Sequence, residues 1–190
     1  MTYKTHLLTS LVVALPVMAA TDTLAVGNIA ALSLGAILPD IDEPGSWIGR
    51  RTRGISDLMK RIFGHRGLTH SLIAVGVVTL LMLSLTVFLS LPLAVVIAFV
   101  TGYFLHIFED SFSKSGVAWL LPFKPRKFQS GFGKVYYTTG GLMEWIFFGC
   151  MVIALALLVR RLDLSMLLTE IRPLPGNLFR EISRTFEPGL

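Results

Sequence analysis

The stretch from Ser71 to Phe108 contains no Asp, Glu, Lys or Arg. It is nearly twice as long as the roughly 20 residues a helix needs to cross the hydrocarbon of a bilayer. A water-soluble fold has no place for such a run. Soluble domains usually carry about 25% charged residues, whereas here 15% are charged and 53% hydrophobic, with a mean hydropathy of +0.69. Leu91-Pro92, near the middle of the run, is the natural break, because proline suits the start of a helix. The pattern predicts two helices, about 70–89 and 92–112, joined as a hairpin. A third span runs from Leu142 to Val159 and is ended by Arg160 and Arg161.

From Thr5 to Pro39 the one formal charge is Asp22, flanked by Thr21 and Thr23. That cluster reads as a helix break and N-cap. It separates two apolar segments, about 4–20 and 24–38, each shorter than a full crossing. The Ala, Gly and Ser of the second would let helices approach closely. A signal peptide is the alternative for residues 1–20. Lys4 would be its basic start and Val17-Met18-Ala19 its cleavage site, but cleavage would discard His6, which belongs to the pattern described below. The fold class expected is therefore all-α, a polytopic membrane bundle of about five embedded helices over residues 1–160. A tail, 161–190, follows Arg160. In it, Pro173-Leu-Pro-Gly176 precedes a short amphipathic segment at about 177–186. The single cysteine, Cys150, lies in an apolar run and leaves no partner for an internal disulfide.

The net charge of +5 does not point to nucleic acid, because the basic residues sit in the connections between apolar segments. Segment 43–69 holds Arg50, Arg51, Arg53, Lys60, Arg61 and Arg66, and segment 113–141 holds Lys114, Lys124, Arg126, Lys127 and Lys134. The turns at Asp22 and at Leu91-Pro92 hold none. By the positive-inside rule the N-terminus and both long loops face the cytoplasm, and the tail lies outside. The segment Gly54–Phe63 places Ile55, Leu58, Met59 and Ile62 on one side and Asp57, Lys60 and Arg61 on the other. It reads as a basic helix in the membrane interface, able to meet anionic lipid, or as a lid packed over a site.

On this map the unusual polar residues gather at one membrane face. His6 starts the first helix, and Asp40 and Asp42 follow the second. His65, Arg66 and His70 lead into the third, and His106 and Asp110 close the fourth. All four histidines of the chain are in the set. Ionisable clusters at membrane depth are costly and usually functional. Imidazole and carboxylate are the donors that suit zinc, manganese or iron. His106 and Asp110 share one helix face, and an extended Asp40-Ile41-Asp42 would point both carboxylates the same way. Gly64 and Gly67 permit a bend between His65 and His70. The donors outnumber the three or four protein ligands of one zinc, so the expectation is a divalent metal site, zinc first and manganese next, with room for two or more ions. Thr69 and Ser71 read as capping and orienting groups. Arg66 is a candidate anion clamp, or simply a basic loop residue. Glu144 is a candidate general base, a further ligand, or a carboxylate favoured by a helix start.

These residues carry a family resemblance. Thr5-His6-Leu-Leu, Leu38-Pro-Asp-Ile-Asp42 and Phe63-Gly-His-Arg-Gly-Leu-Thr-His-Ser71 are joined by Gly102-Tyr-Phe-Leu-His106-Ile-Phe-Glu-Asp110, Ser115-Gly-Val117 and Gly141-Leu-Met-Glu144. Over about its first 160 residues the chain resembles the YdjM family of bacterial inner-membrane proteins. The resemblance implies a metal-dependent hydrolase under LexA control, part of the SOS response. It implies that His6, Asp40, Asp42, His65, His70, His106 and Asp110 form the metal-binding set, with Glu144 a shared feature. Two positions depart from the family pattern: Glu43 stands where relatives often carry His, and Ser113 where Thr is common. More distantly the chain is similar to the helical zinc-dependent phospholipase C and P1 nuclease, which implies phosphoester hydrolysis. The expected function is hydrolysis of a phosphoester in a lipid or lipid-linked substrate. The alternatives are a membrane scaffold or stress protein with a structural metal, and an ion-binding transporter. Against the transporter stand donors at one face rather than at the bilayer midplane, and no internal repeat.

Overall fold

The computed structural model describes residues 1–64, 67–162 and Leu167. His65, Arg66 and the tail segment at 177–186 lie outside the described residues. The chain forms α1 (Tyr3–Ala20), α2 (Val26–Ile37), α3 (Arg53–Phe63), α4 (Leu72–Leu89), α5 (Leu93–Asp110) and α6 (Leu142–Arg161). Two 3₁₀ turns, Leu38–Asp42 and Leu68–His70, join the cytoplasmic ends expected from the sequence. Among the described residues there is no strand, only isolated bridges of Ser113 with Tyr137 and Val117 with Phe128.

The helices α1, α4, α5 and α6 are long and apolar enough to cross a membrane. α2 has 12 residues, about 18 Å of helix, which is well short of a crossing. The all-helical polytopic architecture expected from hydropathy is therefore the one found. Asp22 breaks the first apolar stretch with φ 53°, but it does not cap α2, whose N-cap is Ala25. Asn28 secures the turn instead, donating from Nδ2 to Thr23 O at 2.7 Å. Pro92 precedes α5, as the break at Leu91-Pro92 requires.

The short α2 is the centre of the bundle. Leu32 and Ala36 are fully buried, and the helix lies against α5 almost backbone to backbone. A Cβ added at Gly35 would meet Phe99 O at 2.0 Å, and one at Gly102 would meet Leu32 O at 2.1 Å. Small residues at a helix crossing give this close approach in membrane proteins. α1 packs on the same helix through Ala14, Leu15 and Met18. α4 has no buried residue and α6 has only Glu144, so both turn apolar side chains outward, where acyl chains would cover them. On α3 the exposed Ile55, Leu58 and Ile62 form one stripe, opposite Lys60 and Arg61.

The connection between α5 and α6 is a folded cap. Val117 and Phe128 exchange backbone hydrogen bonds of 3.0 and 2.8 Å, and Lys114 N donates to Tyr137 O at 3.0 Å. This buries Val117, Ala118 and Tyr137 and turns the Tyr137 hydroxyl toward the end of α5.

Gly102→Leu should therefore force α2 and α5 apart and destabilise the fold by about 3 kcal/mol, the upper end of overpacking costs. Gly149→Ala, where an added Cβ meets nothing within 4 Å, should leave stability unchanged or raise it by up to about 1 kcal/mol. Thermal melting in detergent distinguishes the two.

Candidate metal centre

α5 supplies the foundation. His106, Glu109 and Asp110 stand at i, i+3 and i+4, hence on one helix face, and all three are buried. That face meets the end of α2, where Ala36 O lies 2.7 Å from His106 Nδ1. A carbonyl only accepts, so His106 carries its proton on Nδ1 and turns the Nε2 lone pair inward.

The Leu38–Asp42 segment is a 3₁₀ turn rather than the extended turn anticipated from the Asp-Ile-Asp spacing. Residues two apart on a three-residue turn point roughly 240° apart, so the two carboxylates diverge. Asp40 faces His106, with Oδ1 3.5 Å from Nε2. Asp42 turns instead to the other 3₁₀ turn, where it accepts from Thr69 Oγ1 and stands 3.2 Å from His70 Nδ1. The carbonyl of Thr69 is fixed in turn by the Tyr103 hydroxyl, which donates to it at 2.7 Å. Ser71 caps α4 by accepting from Ala74 N at 3.2 Å. Both Thr69 and Ser71 therefore have the capping and orienting roles expected of them.

Four residues converge: Asp40, His70, His106 and Asp110 each offer one donor atom, and these atoms all lie within 4.8 Å of one another. His70 Nε2 is 3.6 Å from Asp110 Oδ2 and 4.0 Å from Asp40 Oδ1. Ligands about 2.1 Å from one tetrahedral ion stand roughly 3.4 Å from each other, close to these separations. His6 joins from α1, its ring stacked 3.8 Å from that of His106 and its Nε2 3.4 Å from Asp110 Oδ1.

Whether these residues fit a metal is decided by their buried nitrogens. The Nε2 atoms of His6, His70 and His106 are buried and have no hydrogen-bond partner among the described residues. Each of the three rings is tied at the opposite nitrogen. His6 Nδ1 is held by Glu109 Oε2 at 2.6 Å, His70 Nδ1 by Thr69 Oγ1 at 3.1 Å with Asp42 Oδ2 3.2 Å away, and His106 Nδ1 by Ala36 O. Histidines that ligate metals are oriented in this way, by a carboxylate or carbonyl at the far nitrogen. The carboxylates of Asp40 and Asp110 would together balance the charge of a divalent ion. Asp40, which lies outside the spanning helices, is pushed up by burial but more strongly pulled down by the imidazoles of His106, His6 and His70, to about 2.

Glu144 lies apart from this group. It accepts from Thr2 N at 2.5 Å, Thr5 Oγ1 at 2.8 Å and Gly140 N at 2.7 Å, and so ties the start of α1 to the start of α6. Of the residues marked by the sequence, the structure brings His6, Asp40, Asp42, His70, His106 and Asp110 together; His65 and Arg66 lie outside the described residues. Sequence reasoning missed Glu109, although a second acid in the last turn of an otherwise uncharged helix was a usable signal. It also missed Tyr137, whose hydroxyl donates to Asp110 Oδ1 at 2.9 Å from a loop with no periodic pattern.

The family model described as YdjM inner membrane protein matches residues 1–167 of this chain. The chain belongs to the YdjM family. It is 37% identical over 129 residues to the protein named Inner membrane protein YdjM of Escherichia coli (strain K12), covering 64% of this chain and 66% of that one. The same figures hold for Inner membrane protein YdjM of Shigella flexneri. The match thus spans just under two thirds of these relatives' length. No solved structure matches the chain. The YdjM family match takes in every residue of the metal centre, and with the four candidate spans it makes this a multi-pass inner-membrane protein.

Removing an orienting carboxylate should weaken the centre without abolishing it. Asp42→Asn and Glu109→Gln are each expected to lower zinc affinity by about 10–100-fold, and His106→Ala by more. Competition titrations against a chelator of known affinity measure this. Chelation should also lower the melting temperature of the parent protein and leave that of His106→Ala unmoved.

Proposed function

We propose that this YdjM-family protein is a metal-dependent hydrolase that cleaves a phosphoester in a lipid or lipid-linked substrate at the cytoplasmic face of the membrane. The observation that carries the reading is the set of three buried imidazole Nε2 atoms without partners, facing the carboxylates of Asp40 and Asp110. Imidazole with carboxylate suits zinc best, and manganese next. A bound divalent ion supplies Lewis acidity at the scissile ester and lowers the pKa of water toward 7.

The protein's own residues then have separate tasks. His70, His106, Asp40 and Asp110 hold the ion, with His6 as a fifth donor beside Asp110. Asp42, Glu109 and the Ala36 carbonyl keep the three Nδ1 positions occupied, so that each ring presents Nε2. In the reaction one water adds to phosphorus and the ester P–O bond breaks. Water's two protons end on the alcohol and the phosphate product. The positive-inside rule applied to the basic connections supports a cytoplasmic orientation for this face, at headgroup depth.

A structural ion is the second reading, favoured by the complete burial of His70, His106 and Asp110. A structural site is coordinatively closed, whereas a catalytic one keeps a position open. Phosphate release from a panel of phospholipids and lipid-linked phosphates, with zinc and with manganese, separates the two. The hydrolase reading predicts turnover that falls at least 100-fold in Asp110→Asn. Metal-loaded protein without turnover across the panel would favour the structural ion.

A further inference from the structure

A cleft of about 520 Å³ opens beside the metal centre, between the start of α1, the loop after the first 3₁₀ turn and the start of α6. Its volume lies in the range of ordinary ligand sites, roughly 300–1,000 Å³. Asp40 reaches its lining and is the one member of the group of four whose side chain is not fully buried, 16% accessible against 0% for His70, His106 and Asp110. Among the described residues, Asp40 is therefore the side chain that links this cleft to the centre.

The lining is amphiphilic. Lys4 and Arg50 stand on it, both exposed and neither in an ion pair among the described residues. The acids on the lining are engaged elsewhere: Glu43 pairs with Lys60 at 3.0 Å, Glu144 accepts the three bonds described above, and Asp40 faces the imidazoles. The charge the cleft offers a ligand is therefore positive. On its other side Trp145 and Phe148 belong to the lining, and with Val152 they form an i, i+3, i+7 stripe down α6. Trp145 is 64% and Val152 45% exposed, so the stripe leads outward along a spanning helix. Tryptophan concentrates at this depth, between headgroups and acyl chains.

We infer that the cleft binds a single anionic lipid admitted from the bilayer side. Lys4 and Arg50 take the phosphate charge, and the Trp145–Phe148–Val152 stripe takes the first part of an acyl chain. This deepens the hydrolase reading by locating where the lipid sits and fixing the charge of its headgroup, and it rests on that reading for the lipid to be a substrate rather than a ligand. Charge-assisted bonds to phosphate supply the headgroup selectivity.

The test uses tryptophan fluorescence. The chain has three Trp, and in the full-length Trp119→Phe variant the two that remain, Trp47 and Trp145, both line the cleft. The protein is placed in phosphatidylcholine nanodiscs, and either phosphatidic acid or phosphatidylcholine with brominated chains is added. Brominated phosphatidic acid is expected to quench at lower mole fraction. Lys4→Gln and Arg50→Gln should each weaken that response by roughly tenfold, while Lys4→Arg with Arg50→Lys retains it. Equal quenching by the two lipids in the parent overturns the inference, whether or not the glutamine variants fold. Preferential binding with no hydrolysis of any phosphoester would leave the cleft standing and remove the hydrolase reading. Hydrolysis with no lipid preference would do the reverse.

Discussion

The close approach of α2 to α5 is the contact on which the rest of the molecule depends. Gly35 and Gly102 allow the two backbones to meet, and that approach carries the Ala36 carbonyl to within 2.7 Å of His106 Nδ1. The same contact places the following 3₁₀ turn over the end of α5, so that Asp40 faces His106 and Asp42 faces Thr69. A wider crossing would separate the carboxylates of one helix end from the imidazole of the other. Packing and chemistry thus share one cause, the absence of side chains at two positions.

The centre is expensive to fold. Each buried polar atom left without a partner costs about 1–3 kcal/mol, and here three imidazole nitrogens are left so, beside two carboxylates in an apolar bundle. The rings are not loosely placed, because every Nδ1 is tied to an oxygen. Orientation at one nitrogen and vacancy of partners at the other is what ligation of a cation requires. Removing one ligand leaves the others buried and unmatched, so stability and metal binding should be coupled.

Much of this was legible in the sequence because the relevant signals are local. Charge-free length marks the spans, Pro92 marks the break, and the four-residue step from His106 to Asp110 places both on one face. The alternation of basic and uncharged connections gathers the same residues at one membrane face before any contact is known. What was not legible depends on backbone geometry. Asp40 and Asp42 look equivalent as letters, and only the 3₁₀ turn sends one to the ion site and the other behind His70. Glu144 sits in a family motif, yet its donors are backbone and hydroxyl groups at the start of α1, which no spacing reveals. The partner of His106 is a main-chain carbonyl, invisible to any reading of side-chain identity. Tyr137 arrives through a long loop whose pairing follows no period.

The most direct test is the metal content of the protein itself. Elemental analysis of detergent-purified parent protein, prepared without chelators, should be set beside an Asp40→Ala, His106→Ala double variant. The account predicts stoichiometric zinc or manganese in the parent and its loss in the variant. Absence of metal from the parent, even after zinc and manganese are added back, would contradict it.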